Sequence, residues 1–313
     1  MPRLPEAAFL IRLFIILTDK SVNKMRIQKW SNPFLIPVAG LVALTVLSAG
    51  VAACARQATS ADKLSVVVSI LPLADFVAAV GGDKVNVSVM VPTGAEPHTY
   101  EPTPSQMVEV SKAKMFVKVG SGVEFELTWM DKLADLNRQM LVVDSSEGVQ
   151  IVDRDPHIWT SPANATTMVN NICEGLVRID PNNRHYYEAN RNAYLKRLGD
   201  LHNEIRDEIA LSGVKEFMVF HPAWAYFARD YGMEEISIEA GRGEPSAADI
   251  ARLIEEAKSK GIKVVFVEPQ FNRQSAEVIA RAIGGTVIPI DPLARNYIDN
   301  LRTVVRELVK SGR

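Results

Sequence analysis

Eight short runs rich in Val, Ile, Phe and Met recur between residues 64 and 290, and the stretch after each carries its apolar positions at threes and fours. Strands are expected at 64–70, 85–91, 115–119 and 140–143, with helices at 73–80, 104–113, 125–136 and 163–179. The pattern then repeats, with strands at 217–220, 235–238, 264–267 and 286–290 and helices at 223–231, 246–260, 273–283 and 296–309. A strand followed by a helix and a further strand returns by a crossover, so this alternation builds parallel sheets covered by helices on both faces. Between the halves, Asp180 and Pro181 offer an N-cap and a proline at the first helical position, and no Gly or Pro follows until Gly199. Apolar Tyr187, Tyr194, Leu198, Leu201, Ile205 and Ile209 keep helical spacing, which predicts one helix of about 30 residues, roughly 45 Å long. Gly199 costs it about 1 kcal/mol relative to Ala. The fold class is α/β: two lobes, each a mostly parallel sheet flanked by helices, over 64–179 and 213–313, with the linking helix at 180–212.

At 313 residues and 47% hydrophobic content the chain can bury one large core or two modest ones. A formal charge of -2 leaves no basic footprint, so nucleic acid is not expected as a partner. Two cysteines, Cys54 and Cys173, are too few for a disulfide framework, and Cys173 on an apolar helical pattern reads as a small buried hydrophobe. Residues 34–53 carry no charge, follow Arg26 and Lys29, and end in Val51-Ala52-Ala53-Cys54, the layout of a secretory signal. The small residues before Cys54 resemble a lipobox, in which that sulfur is acylated and becomes the mature N-terminus; an uncleaved membrane anchor is the alternative. Either way 1–53 is leader and signal, 54–63 is a small, polar tether, and the rest lies outside the cytoplasmic membrane. Met25 makes a normal start for such a signal, which leaves the first 24 residues as either untranslated or a long leader.

His98, His157, His221 and Asp291 each stand beside a proline, at or a few residues beyond the end of a strand run, where ligands gather in open α/β sheets. Gaps of 59, 64 and 70 residues rule out a zinc finger and require a preformed fold to assemble the four. Three imidazoles and one carboxylate suit a borderline-soft divalent ion, with Zn²⁺ the first candidate. Each has a plainer reading: His98 beside Glu101 as a loop residue, Asp291 as the cap of the helix after Pro292. His185 and His202, among charged neighbours on the long helix, read as solvated.

The segments PHTYEP (97–102), HPAWAYFARDYG (221–232) and IDPL (290–293), with GEPS at 243–246 and VEPQF at 267–271, resemble the metal-binding proteins of ABC importers. Specifically they are similar to the zinc-uptake branch of the manganese/zinc group, over about 64–308. The resemblance implies that His98, His157, His221 and Asp291 are the metal ligands. Manganese-preferring members often carry a carboxylate at the third position, so His221 points to Zn²⁺, with Mn²⁺ as the alternative cargo. Glu101, Glu244 and Glu268 lie near the matched motifs, placed either to orient a histidine ring or to cap backbone, and Trp159 and Trp224 are expected to wall the cleft. Many zinc-uptake relatives carry a His-rich acidic loop where this chain has no histidine from Gly120 to Asp155. In that family one long helix joins the lobes, so metal exchange is expected to use local loop motion more than wide closure.

The implied function is a monomeric, lipid-anchored protein on the extracytoplasmic face of the cell membrane that binds Zn²⁺ with high affinity and catalyses nothing. It would deliver the metal to an ABC permease coupled to a cytoplasmic ATPase, both separate chains because no Walker A loop or set of membrane spans occurs here. The alternatives are an adhesin-like surface protein and a secreted zinc hydrolase with Asp291 as general base; the hydrolase lacks a supporting catalytic motif near the histidines.

Overall fold

The computed structural model describes residues 63–312 apart from Ala240 and Arg242, within one compact unit that spans residues 61–313. The expected leader, signal and tether, Cys54 included, lie outside the described residues. Among the described residues no helix is long and apolar enough to cross a membrane.

The first half contains β1 (Leu64–Val68), α1 (Leu71–Gly81), β2 (Val85–Val89), α2 (Pro104–Lys112), β3 (Met115–Lys118), α3 (Glu124–Leu136), β4 (Leu141–Asp144) and α4 (Pro162–Ile179). Its strands pair in the order β2-β1-β3-β4, every pair parallel. After α5 (Arg184–Ser212), the second half holds β5 (Glu216–Val219), α6 (Ala225–Tyr231), β6 (Glu234–Ser237), α7 (Ala247–Ser259), β7 (Val264–Val267), α8 (Gln274–Ala282), β8 (Thr286–Pro289) and α9 (Tyr297–Ser311). Its order, β6-β5-β7-β8, is the same arrangement, again all parallel. Central strands explain the unbroken apolar runs: Val66, Val67 and Val68 are all fully buried because helices cover both faces of the sheet.

Local chemistry sets several boundaries. Thr103 and Gln106 close a capping box at the start of α2, with Pro104 at its first position, and Ser246 and Asp249 do the same for α7. Ser161 caps α4 by accepting from the Asn164 N–H, ahead of Pro162.

The linking helix starts later than its sequence signal. Pro181–Asn183 form a separate 3₁₀ turn, and α5 runs for 29 residues from Arg184, about 43 Å. Asp180 does not cap it through the backbone; its Oδ2 instead accepts from the Tyr187 hydroxyl and the Asn183 side-chain amide, both at 2.7 Å. The buried face of α5 is the expected Tyr187, Tyr194, Leu198, Leu201, Ile205 and Ile209. Burying each contributes roughly 1.5–3 kcal/mol, so tertiary packing rather than helix propensity holds this otherwise polar helix.

That face belongs to a hydrophobic core that includes residues of both sheets, from Val66 to Phe217 and Phe266. The halves also meet directly: Phe76 and Tyr297 pack edge-on with ring centroids 4.9 Å apart, and the Trp159 indole N–H donates to Pro292 O at 2.8 Å. A continuous core of this kind resists hinge opening, because parting the halves would expose packed apolar surface. His202 also departs from the expected solvated state: it is half-buried on α5, with Nδ1 3.1 Å from the Tyr231 hydroxyl. His185 is fully exposed.

Candidate metal centre

In an open parallel sheet the crevice at the carboxyl ends opens where the strand order reverses, because loops on either side of that point diverge. In the second half the point lies between β5 and β7, and His221 and Glu268 leave the sheet there. In the first half the equivalent point is filled. Glu126 from α3 is buried and accepts from the Ser69 hydroxyl at 2.5 Å and from the N–H groups of Val119 at 2.6 Å and Gly120 at 2.9 Å. The histidines of that half come instead from longer connections, His98 after β2 and His157 after β4, immediately before a 3₁₀ turn at Ile158–Thr160.

The three imidazoles converge. The Nε2 atom of His221 lies 3.3 Å from that of His98 and 3.2 Å from that of His157, and the three ligand atoms all fall within 4.8 Å of one another. A regular tetrahedron with zinc–nitrogen bonds of about 2.05 Å has edges of about 3.3 Å, so the separations of 3.3 and 3.2 Å from His221 suit a zinc ion.

Each outward-facing nitrogen meets a carboxylate. His98 Nδ1 contacts Glu124, His157 Nδ1 lies 2.7 Å from Asp155 Oδ1, and His221 Nδ1 lies 2.5 Å from Glu239 Oε2. An ionised carboxylate only accepts hydrogen bonds, so each Nδ1 carries a proton, and the Nε2 atoms that face inward are the ring positions left to bind a metal. Three lone pairs this close repel unless a cation or a shared proton lies among them. The same carboxylates fix ring orientation and raise the basicity of the inward nitrogens. His157 is buried, and burial lowers its pKa against the opposing pull of Asp155, which keeps the ring neutral and available to a metal.

These orienting carboxylates differ from the ones expected. Glu101 is exposed, and Glu244 accepts from the Ser275 hydroxyl at 2.6 Å on the surface, so neither reaches a ring. Glu268 accepts the His221 backbone N–H at 3.2 Å, supporting the turn rather than the imidazole. Burial pushes Glu268 up to about 8, and likewise Glu235, which accepts the Trp224 N–H at 2.9 Å. The carboxylates at the rings carry weak sequence signals: Asp155 lies two residues before His157, Glu124 opens α3, and Glu239 follows β6.

Asp291 stands outside the cluster of converging ligand atoms. Its Oδ1 accepts from the Leu293 N–H at 2.9 Å and the Gln270 amide at 3.1 Å, the local capping that an Asp-Pro-Leu turn favours. Trp159 lines the cleft, its ring centroid 5.3 Å from that of His157, whereas Trp224 is buried in the core. Phe271 stacks on His221 with centroids 4.8 Å apart and planes 20° from parallel. Cys173 is buried in the core, as expected.

The sequence profile of a family described as zinc-uptake complex component A, periplasmic, matches residues 66–311. The high-affinity zinc uptake system protein ZnuA of Bacillus subtilis is 31% identical over 287 residues, covering 82% of this chain and 86% of the relative. The zinc-binding lipoprotein AdcA of Streptococcus pneumoniae is 28% identical over 264 residues, 77% of this chain but only 52% of that longer protein. A crystal structure of ZnuA superposes with a TM-score of 0.78 at 40% identity, covering 80% of this chain and all of the other.

Proposed function

Because the chain belongs to the zinc-uptake complex component A family, we propose that it captures Zn²⁺ outside the cytoplasmic membrane and delivers it to an ABC permease driven by a cytoplasmic ATPase. Zinc is cargo here, so the protein binds and releases without chemical turnover. The observation that carries this reading is the inward convergence of three Nε2 atoms at zinc-compatible spacing, each ring backed by a carboxylate. On this reading His98, His157 and His221 hold the ion, with Glu124, Asp155 and Glu239 orienting them. Asp291 is the candidate for the fourth position: Leu293 and Gln270 both bond its Oδ1, which leaves Oδ2 as the oxygen to offer a metal. Three nitrogen donors favour zinc over manganese, which prefers more oxygen ligands.

Attachment through lipid on Cys54, with residues 54–63 as tether and a monomeric binding unit beyond it, completes the proposal; the small residues before Cys54 support it. Intact-mass analysis of the mature protein tests the anchor: an unmodified N-terminus at another residue would refute it. For the site, purified protein should bind one zinc per chain, and the triple variant His98→Ala, His157→Ala, His221→Ala should bind none. Undiminished zinc binding by that variant would overturn the assignment.

A further inference from the structure

We propose that Tyr226, on α6 of the second half, is a positioning residue for His157 of the first half, a latch whose hydroxyl sets how fast zinc leaves. The inference rests on the reading of His157 as a zinc ligand.

The Tyr226 hydroxyl donates to Asp155 O at 2.8 Å and accepts the Val152 N–H at 3.1 Å. Those two residues close a turn, with the Asp155 N–H donating to Val152 O at 2.9 Å. The Asp155 side chain, in turn, accepts both the His157 N–H at 2.9 Å and the His157 ring Nδ1–H at 2.7 Å. One hydroxyl therefore stands two bonds away from the imidazole. The next carbonyl, Pro156 O, accepts from the Ser121 hydroxyl of the first half. Successive carbonyls just before the ligand are thus gripped from opposite halves of the molecule.

The turn is uphill by itself. Its central residues, Asp153 and Arg154, both sit at positive φ, 51° and 61°, although neither is glycine. Such backbone persists only where its surroundings over-determine it, and among the described residues the Tyr226 hydroxyl is the group from outside the turn that bonds both of its ends. The phenol ring is 2% exposed, and the Arg229 guanidinium lies 5.1 Å from its centroid, so packing fixes where the hydroxyl points. Without that oxygen the turn loses its tie to α6, the Asp155 carboxylate drifts, and the His157 ring is free to swing away from the ion. The continuous core resists wide opening, so release calls on local motion, and the His157 arm is one the Tyr226 hydroxyl holds.

The test compares the full chain with Tyr226→Phe, which keeps the buried ring. Zinc loss into excess chelator is followed by stopped flow, and Co²⁺-loaded protein by its visible absorption. Wild type is expected to bind one zinc, and Tyr226→Phe to release it up to about tenfold faster, no more than the low end of what losing a histidine's own outer partner costs in affinity. Its Co²⁺ band should weaken as His157 leaves the shell, and the metal-free melting temperature should fall by only a few degrees, the expected cost of losing the two hydrogen bonds to the turn. In combination with Asp155→Asn, the double variant should release zinc no faster than the faster single variant, because both act through His157. Wild-type release rates in Tyr226→Phe, or effects that multiply in the double variant, would overturn the latch. Failure of the wild-type chain to bind zinc would instead strike the zinc-binding reading beneath it.

Discussion

Replacing His221 by Glu probes the centre at its middle ring, since His221 Nε2 is the one that approaches both other imidazoles, at 3.3 and 3.2 Å. The substitution exchanges a nitrogen donor for oxygen and sets a carboxylate against Glu239, which now accepts from His221 Nδ1 at 2.5 Å. Two carboxylates about 4 Å apart repel by about 4 kcal/mol at an effective dielectric of about 20. A bound cation screens part of that, so it is an upper bound. Losing the oriented imidazole costs at least as much metal affinity as losing its orienting partner, about 10–100-fold. Together these place the expected drop in zinc affinity at about 100–1000-fold. Manganese gains an oxygen donor in compensation, and its affinity should fall by no more than about tenfold. Chelator-competition titrations of both metals on wild type and variant measure the change in preference, which is the informative quantity because zinc outcompetes manganese at most mixed sites. Adding Glu239→Gln should recover part of the lost zinc affinity by removing the repulsion. Unchanged affinities in His221→Glu would place His221 outside the metal's shell, and equal losses for both metals would refute donor type as the basis of choice.

Removing zinc should leave the chain folded but less stable: at a free concentration 100 times the dissociation constant, bound metal adds about 2.7 kcal/mol, or a melting shift of about 5–10 °C in a chain of this size, read by calorimetry. Zinc affinity should fall as pH drops below about 6.5, where protons compete for the imidazoles, and titrations that stay flat into acid would count against histidine ligation. Metal-free stability should show the same edge, because the lowered pKa of His157 means the unfolded chain binds the proton more readily, so this contribution is present above about 6.5 and lost as pH falls below it. Glu235 and Glu268 act in the opposite sense: with pKa values raised to about 8, they hold protons the unfolded chain has released, so their contribution is lost as pH rises from about 4.5 to about 8, and Glu235→Gln should flatten that slope in denaturant melts. Gly199→Ala should stabilise the chain by about 1 kcal/mol without altering zinc affinity, since the position is exposed, helical, and open to an added Cβ.

The order and type of every regular strand and α-helix were legible in the sequence, because hydrophobic period and capping residues act over ten or so neighbouring positions. The three valines of β1 and the six buried residues of α5 are both local signals of this kind. The histidines were singled out as well, each beside a proline, although His98 and His157 sit in long connections and only His221 closely follows a strand. What surrounds them was not. The pairs His98–Glu124 and His221–Glu239 span 26 and 18 residues, and no local pattern distinguishes those acids from Glu101 or Glu244. Asp180 shows the converse, in which a nearby donor outcompeted the role suggested by position: the Tyr187 hydroxyl takes the side chain expected to cap the long helix. Sequence periodicity thus determined which faces had to be buried. The tertiary fold within each half decided which carboxylates met which rings, and packing the halves together brought His221 to the other two rings, because a hydrogen bond requires two groups within about 3 Å, a proximity that local sequence does not set.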